Sequence, residues 1–169
     1  MNKKYLVSIL SLILGCVFLY SCKKVENLPV IPAITFKSFQ TYGSDSAVCK
    51  INFVDGDGDI GLDPYMTQPP FDPSSRFYND LFLTYYWDSL GNWVVGLKSV
   101  AIGYAIRENV YRIPNLSTNG QTSALEGEIK VKIPAPYSIP GQTFKYKIQL
   151  YDRALHPSNV VWTDAKLPP

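Results

Sequence analysis

Alternating apolar and polar positions recur along most of the chain after residue 30. Between residues 125 and 133, Ile129, Val131 and Ile133 share one face while lysines occupy the other, and Phe144 begins a second run of this kind. An alternation with a period of two predicts a β-strand with one buried face. Eight such strands are predicted, at residues 34–41, 47–54, 81–88, 93–97, 109–113, 125–133, 144–151 and 159–163.

The spacing of these strands predicts the class of fold. The chain has 13 prolines and 11 glycines, and no amphipathic helix is indicated after residue 30. Residues 63–76 contain four prolines and are expected to form a long loop, while residues 99–107 fit either an irregular strand or a loop. Seven or eight short strands separated by turns are typical of an antiparallel β-sandwich, so we expect an all-β protein.

The chain begins with an apolar segment that follows Lys3 and Lys4. Residues 5–20 carry no charge, and 16 residues are fewer than the roughly 20 that a membrane-spanning helix needs. The segment therefore fits a secretory signal peptide better than an uncleaved anchor helix. It ends in LYSC, which resembles the lipobox of bacterial lipoproteins and implies that Cys22 becomes the lipidated first residue. ILGC, which ends at Cys16, is a rival match, but apolar residues follow it.

These observations divide the chain into three parts. Residues 1–21 are predicted to be a lipoprotein signal peptide, residues 22–32 a lipidated tether, and residues 33–169 the β-sandwich domain. The full chain has 16 basic and 14 acidic residues, and removal of the signal peptide takes away two lysines. The mature chain then has no net charge, so no nucleic-acid partner is indicated. The expected location is the cell envelope, at the outer membrane on either leaflet, with the lipid as a stable anchor.

The segment INFVDGDGDIGLD, residues 51–63, joins a predicted strand to an acidic loop. Asp55, Asp57 and Asp59 alternate with glycines, and Asp63 follows. Glycine allows a backbone tight enough for carboxylates to converge, and calcium accepts six to eight oxygen ligands in an irregular geometry. The match to an EF-hand loop is partial and its flanks are predicted strands. We therefore expect a structural calcium loop between strands, with a plain polar turn as the alternative.

A further aspartate, Asp152, follows a predicted strand and begins a turn. If this turn and the acidic loop share one end of the sandwich, its carboxylate becomes an additional calcium ligand. The alternative is that Asp152 accepts hydrogen bonds within its own turn.

Catalytic residues are not indicated by the sequence. His156 is the only histidine and lies in a turn, and no G-x-S-x-G, H-E-x-x-H or cysteine cluster is present. Cys49 lies on the apolar face of its predicted strand, where a lone cysteine acts as a small hydrophobic residue. Four carboxylates on a glycine-rich turn also make a poor glycosidase pair, which needs an acid in an apolar pocket. We therefore expect a protein that is not an enzyme.

Aromatic residues are concentrated on one predicted hairpin, whose turn is the segment DSLGN. Tyr85 and Trp87 share one face of the strand at residues 81–88, and Trp93 lies across the turn. Large aromatic side chains dominate sandwich cores, so we expect at least half of this cluster to pack in the core. The alternative is that Tyr85, Trp87 and Trp93 form one carbohydrate-binding surface.

The closing segment of the chain carries a resemblance to known domains. Asp152, Ala154, Ser158 and Asn159 match a D-x-A-x-x-x-S-N turn that closes many bacterial immunoglobulin-like modules. The strand layout resembles immunoglobulin-like or fibronectin type III-like domains, without their paired cysteines. With the lipobox and DGDGDIG, the chain is similar to small surface lipoproteins of the Bacteroidota.

This resemblance implies an antiparallel Ig-like β-sandwich of seven to eight strands and implies no activity. We therefore expect a non-enzymatic, lipid-anchored interaction or structural module with a calcium loop and an unidentified protein or glycan partner. The alternative function is a carbohydrate-binding module that uses the Tyr85, Trp87 and Trp93 hairpin.

Overall fold

The computed structural model describes residues 28–117, 123–136 and 141–167. The predicted signal peptide, the lipidation site Cys22 and the first part of the predicted tether lie outside the described residues. Within the described ranges, no helix combines the length and the apolar character needed to cross a membrane.

The described residues form ten β-strands and one 3-10 turn, so the predicted all-β class is confirmed. The two strands beyond the eight predicted form a short hairpin in the stretch for which the sequence indicates either an irregular strand or a loop. The elements are β1 (Ala33–Tyr42), β2 (Ser46–Asp55), the 3-10 turn (Arg76–Tyr78), β3 (Leu81–Ser89), β4 (Asn92–Val95), β5 (Leu97–Ser99), β6 (Tyr104–Ile106), β7 (Glu108–Tyr111), β8 (Leu125–Pro134), β9 (Phe144–Leu150) and β10 (Val161–Trp162).

The strands form two antiparallel sheets and the separate β5–β6 hairpin. The smaller sheet has the order β1-β2-β8, and β2 lies at its centre with Cys49 opposite Phe39 and Val131. The larger sheet has the order β10-β9-β3-β4. β3 pairs with β9 along one edge, while its other edge pairs first with β7 and then with β4.

The two sheets pack face to face around an apolar core, which makes the fold an antiparallel β-sandwich, as predicted. The Phe39 ring of β1 lies 6.0 Å from the Phe144 ring and 5.6 Å from the Tyr146 ring of β9. Strand β9 alternates buried and half-buried residues along its whole length. Cys49 belongs to this core, where burial raises the pKa of its thiol to about 12. It therefore packs as a hydrophobic residue, as expected.

The β5–β6 hairpin leaves the larger sheet at Tyr85. The Tyr85 amide donates to the Arg107 carbonyl at 2.9 Å, and the Gly96 amide donates to the Tyr85 carbonyl at 2.8 Å. Gly96 is required here because a Cβ atom would lie 2.3 Å from the Tyr85 ring. At the tip of the hairpin, Ile102 is 94% exposed. The hairpin therefore extends from the sheet and contributes no buried residue to the core.

Asn159 links the segment before the last strand to the first strand. Its Oδ1 accepts from the Ile34 amide at 2.8 Å, and its Nδ2 donates to the Ile34 carbonyl at 2.9 Å. The Asn159 side chain thus provides hydrogen-bond partners for the amide and the carbonyl of buried Ile34, at the edge of β1 that does not pair with β2. This contact fastens the chain before β10 to the edge of the smaller sheet.

Candidate metal site

Asp55 is the last residue of β2 and continues the inward-facing side of that strand. Ala47, Cys49, Ile51 and Phe53 occupy the preceding positions of the same alternation, and all are buried. The fifth position carries a carboxylate that is fully buried. The strand periodicity therefore forces an acidic group to the end of the apolar core, where its charge loses most of its hydration.

Only one oxygen of this carboxylate is satisfied by the loop that follows. Oδ2 of Asp55 accepts from the backbone amides of Asp59 at 2.8 Å and Ile60 at 3.2 Å. Oδ1 is buried and has no hydrogen-bond partner among the described residues. A buried carboxylate oxygen without a donor is costly, and a bound cation would remove that cost.

Asp57 and Asp59 bring two further carboxylates to the same point. One oxygen from each of Asp55, Asp57 and Asp59 lies within 4.8 Å of the others. Each of the three side chains also has a buried Oδ1 with no hydrogen-bond partner in the described ranges. The predicted convergence of these three aspartates is therefore present, and it leaves three acceptor oxygens directed at no donor.

Two aspartates of the cluster, Asp55 and Asp59, have raised pKa values. Burial raises the pKa of Asp55 to about 6, and the negative charges of Asp57 and Asp59 add to this rise. The hydrogen bond from the Asp59 amide acts in the opposite direction and lowers the pKa. Burial also raises the pKa of Asp59, with further contributions from Asp152 and Asp57, while the Arg153 guanidinium opposes them. Both shifts have the direction expected of buried carboxylates that also lie close to other negative charges.

Two glycines allow the loop to pack tightly enough to converge. Gly58 has a φ of +70°, and a Cβ atom there would lie 2.0 Å from the Ser123 carbonyl oxygen. Gly56 donates its amide to the Pro29 carbonyl at 2.7 Å, and a Cβ atom there would lie 2.3 Å from the Leu28 carbonyl oxygen. The acidic loop therefore contacts the backbone of two segments that are distant from it in sequence.

Asp152 lies at the same end of the sandwich as the acidic loop, as one of the two sequence interpretations requires. It pairs with Ile60 in an isolated antiparallel bridge. Its carboxylate, however, is occupied within its own turn: Oδ1 accepts from the His156 amide at 2.7 Å, and Oδ2 lies 2.9 Å from Nδ1 of His156. Asp152 is therefore outside the group of three and influences Asp59 through its charge.

Asp63, the fourth aspartate of the predicted loop, is also outside the group of three. Nδ2 of Asn115 donates to both of its carboxylate oxygens, at 3.1 Å and 3.2 Å. The structure thus places Asp63 in a side-chain contact with the segment that follows β7.

Sequence reasoning missed Arg153, which fastens the acidic loop from the other side. Its backbone amide donates to the Asp59 carbonyl at 3.2 Å. Its guanidinium donates to the carbonyls of Gly61 at 3.2 Å and Gly58 at 3.4 Å, and to Oγ of Ser117 at 3.2 Å. No local pattern identifies this role, because the partners of the guanidinium lie between 36 and 95 residues away in sequence.

The aromatic residues proposed for carbohydrate binding do not form a common surface. Tyr85 is fully buried and stacks on Phe144, with ring centroids 5.6 Å apart. Trp87 is partly buried against the core. Trp93 lies opposite Asp88, so it shares the outer face of the sheet with alternate residues of β3 and not with Tyr85. The three side chains therefore do not share one surface, and Tyr85 packs in the core, which is the use that the sequence favours for such residues.

Comparison with known proteins adds no family. No protein-family model matches the sequence, and no curated protein matches it. Among solved structures, the chain is similar to the sensor domain of the anti-sigma factor RsgI4 from Pseudobacteroides cellulosolvens. The two share 8% sequence identity over 86% of this chain and 100% of that one, with a TM-score of 0.28. A similarity this distant carries no argument about function.

Proposed function

We propose that this protein is a non-enzymatic, lipid-anchored module of the cell envelope whose acidic loop binds a structural calcium ion. The observation that carries the proposal is the convergence of Asp55, Asp57 and Asp59 within 4.8 Å, each with a buried oxygen that lacks a donor among the described residues. Carboxylates in this arrangement repel one another, and a divalent cation converts the repulsion into attraction.

The donor set favours calcium over other divalent cations. All three side chains offer carboxylate oxygens, which suit hard cations, and the group contains no histidine or cysteine. Calcium tolerates an irregular set of six to eight oxygens and can complete its shell with water or backbone carbonyls. Magnesium demands a near-ideal octahedron and retains more of its own waters.

The role of the cation would be structural. The acidic loop contacts Leu28 and Pro29 on one side and Ser123 on another, and Gly61 within it packs against Pro114. Neutralising the three carboxylates would therefore stabilise one whole end of the sandwich. A ligand that binds the folded state alone raises its stability by about 2.7 kcal/mol at 100 times its dissociation constant.

Lipid anchoring is supported by the sequence alone, through the apolar leader and the LYSC motif. Cys22 precedes Leu28 by six residues. A fully extended chain spans at most about 3.6 Å per residue, so attachment at Cys22 would hold Leu28 within about 22 Å of the anchor point. Because Leu28 contacts the acidic loop at Gly56, lipid attachment at Cys22 would also hold the proposed cation site close to the membrane.

Thermal unfolding of the full-length chain in detergent tests the proposal. With saturating calcium, we expect a midpoint about 5–10 °C higher than in excess chelator, given the stabilisation above and a chain of this size. Asp57→Asn should lose most of this difference. Asp164→Asn removes the same charge from an exposed residue outside the cluster, and it should keep the full calcium effect. A midpoint that is independent of calcium in the unmodified chain would refute the cation site.

A further inference from the structure

A basic and aromatic surface lies on the outer face of the larger sheet, away from the acidic loop. We define the outer aromatic patch as Tyr86 of β3, Trp93 of β4, Lys145 and Lys147 of β9, and Trp162 of β10. Tyr86 lies directly opposite Lys145, and Trp162 directly opposite Lys147. Because four adjacent strands contribute, the ladder hydrogen bonds of the sheet fix the relative positions of these side chains.

The side chains of the patch contact one another without burying their rings. The ammonium of Lys145 lies 4.0 Å from the centroid of the Trp93 ring and 4.4 Å from that of Trp162. The ring of Tyr86 meets that of Trp162 edge to face at 4.9 Å. Trp93 remains 37% exposed and Trp162 38% exposed. Two indoles are thus held in fixed positions on either side of a cation and stay open to solvent.

The two lysines of the patch are not engaged by acidic side chains. No carboxylate in the described ranges forms an ion pair with Lys145 or Lys147. Two acids lie beside the patch on the same face. Glu108 is bound by Arg76 and by the Thr84 hydroxyl, and Asp88, which lies opposite Trp93, accepts a hydrogen bond from the Gly91 amide. A cation between two aromatic faces is oriented by their quadrupoles and keeps its full charge for an anionic partner. The patch therefore combines exposed ring surface with free positive charge.

We infer that the outer aromatic patch binds an acidic saccharide of the uronic acid type. A pyranose ring presents an apolar face that stacks on indole, and its carboxylate pairs with a lysine ammonium. The surface belongs to the flat face of a sheet and not to a closed cavity, which suits an extended polymer better than a small molecule. Successive lysines on one face of β9, at Lys145 and Lys147, suit anionic groups that repeat along a chain.

This site is independent of the proposed cation site. Lys145 and Leu150 lie near opposite ends of β9, and five residues of strand span about 17 Å. The acidic loop lies beyond the Leu150 end, where Asp152 pairs with Ile60. Binding to the patch can therefore be measured in excess chelator, where calcium cannot contribute.

Titration of the full-length chain in detergent with hexagalacturonate, in excess chelator, tests the inference. Calorimetry and tryptophan fluorescence should both show saturable binding, because two of the three tryptophans lie in the patch. Cellohexaose has the same length without carboxylates and should bind at least about tenfold more weakly, as expected for the loss of charge-assisted contacts. Affinity for hexagalacturonate should also fall as salt is raised.

Variants locate the binding within the patch. Lys145→Gln should weaken hexagalacturonate binding about tenfold, and Trp162→Ala by a similar factor. Lys98→Gln removes the same charge from the exposed β5–β6 hairpin and should change the affinity less than about twofold. Thermal unfolding of each variant checks that the sheet remains folded. If Trp162→Ala fails to fold, Lys145→Gln still tests the patch.

Three results would overturn the inference. One is the absence of saturable binding, and another is equal binding of cellohexaose and hexagalacturonate. The third is tighter binding of a single-stranded oligothymidylate than of hexagalacturonate, which would make the patch a nucleic-acid surface.

Discussion

The backbone amide of Asp59 donates a 2.8 Å hydrogen bond to Oδ2 of Asp55, and this contact closes the acidic loop upon the end of β2. It satisfies one oxygen of a fully buried carboxylate and leaves the other without a donor among the described residues. Folding alone therefore satisfies only one of the two oxygens of Asp55. Under the proposed function, a cation would bind the other oxygen and offset the repulsion among the three carboxylates.

Substitution of Gly58 tests whether the tight packing of the acidic loop is essential. Gly58→Ala introduces a Cβ atom 2.0 Å from the Ser123 carbonyl oxygen, at a φ of +70°. Gly43 also has a positive φ, of +58°, but a Cβ atom there would meet nothing within 4 Å, so Gly43→Ala carries the backbone strain alone. Chemical denaturation should show that Gly58→Ala costs about 1–3 kcal/mol more than Gly43→Ala.

The calcium effect on the same two variants gives a second readout. Gly58→Ala displaces the loop that holds Asp57 and Asp59 and should reduce the calcium-dependent rise in midpoint, while Gly43→Ala should keep it. Equal stability of the two variants would contradict the prediction, because it would mean that the segment at Ser123 moves to accommodate the added methyl group without loss of stability.

Asp80 predicts a pH dependence that is separate from the acidic loop. Its buried Oδ1 accepts from the Ile113 amide at 2.7 Å, and its Oδ2 has no partner among the described residues. Burial raises its pKa to about 7, against the Ile113 amide and the Arg112 charge. Between about pH 4 and 7 the folded chain holds a proton that the unfolded chain releases, so this group lowers stability as the pH rises through that window.

Asp80→Asn should remove this dependence, because the amide keeps an oxygen for the Ile113 amide and carries no charge. Urea unfolding at several pH values in chelator gives the free energy of unfolding of both chains. The difference between the variant and the unmodified chain should change in favour of the variant by up to about 1.4 kcal/mol per pH unit between pH 4 and 7. Asp72→Asn is the control, because hydrogen bonds from Ser74 lower the pKa of Asp72 and reverse the direction. Parallel pH profiles of Asp80→Asn and the unmodified chain would contradict the assignment.

The hydrogen bonds between Asn159 and Ile34 are expected to contribute to the free energy of unfolding, because they join the segment before β10 to β1. Asn159→Ala removes both hydrogen bonds and leaves the amide and carbonyl of buried Ile34 without their partner. We expect a loss of about 1–3 kcal/mol in the free energy of unfolding. Asn92→Ala, at an exposed position beside the β3–β4 turn, should change it by no more than about 0.5 kcal/mol. Equal effects of the two substitutions would count against the link.

Local pattern was enough to predict eight of the ten described strands and the convergence of three aspartates. The alternation through Cys49 and Ile51 determines that Asp55 faces inward, and the intervening glycines permit the turn that follows. These properties depend on residues close together in sequence, where periodicity and backbone preference act directly. The roles of Arg153 and Asn159 depend on partners that the fold brings from far along the chain, and no local pattern indicates them.

The aromatic grouping is wrong for a different physical reason, the register of one hairpin. A turn made of all five residues of DSLGN would place Trp87 opposite Trp93 on one face. The structure instead pairs Ser89 with Asn92, so the turn contains only Leu90 and Gly91, both with positive φ. This shorter turn puts Trp93 opposite Asp88 and therefore on the outer face. A one-residue change in register exchanges the two faces of a strand.

The two interpretations of Asp152, as a calcium ligand or as a hydrogen-bond acceptor in its own turn, lead to different effects of one substitution. Asp152→Asn keeps a side-chain oxygen that can accept the hydrogen bond from the His156 amide, which is 2.7 Å long in the structure. If Asp152 acts through its own turn, the variant should retain most of the calcium-dependent rise in midpoint. A modest loss is expected because one negative charge near Asp59 is gone. Thermal unfolding of Asp152→Asn and Asp57→Asn, each with calcium and with chelator, compares the two variants. If Asp152→Asn loses as much of the calcium-dependent rise in midpoint as Asp57→Asn does, Asp152 is a calcium ligand.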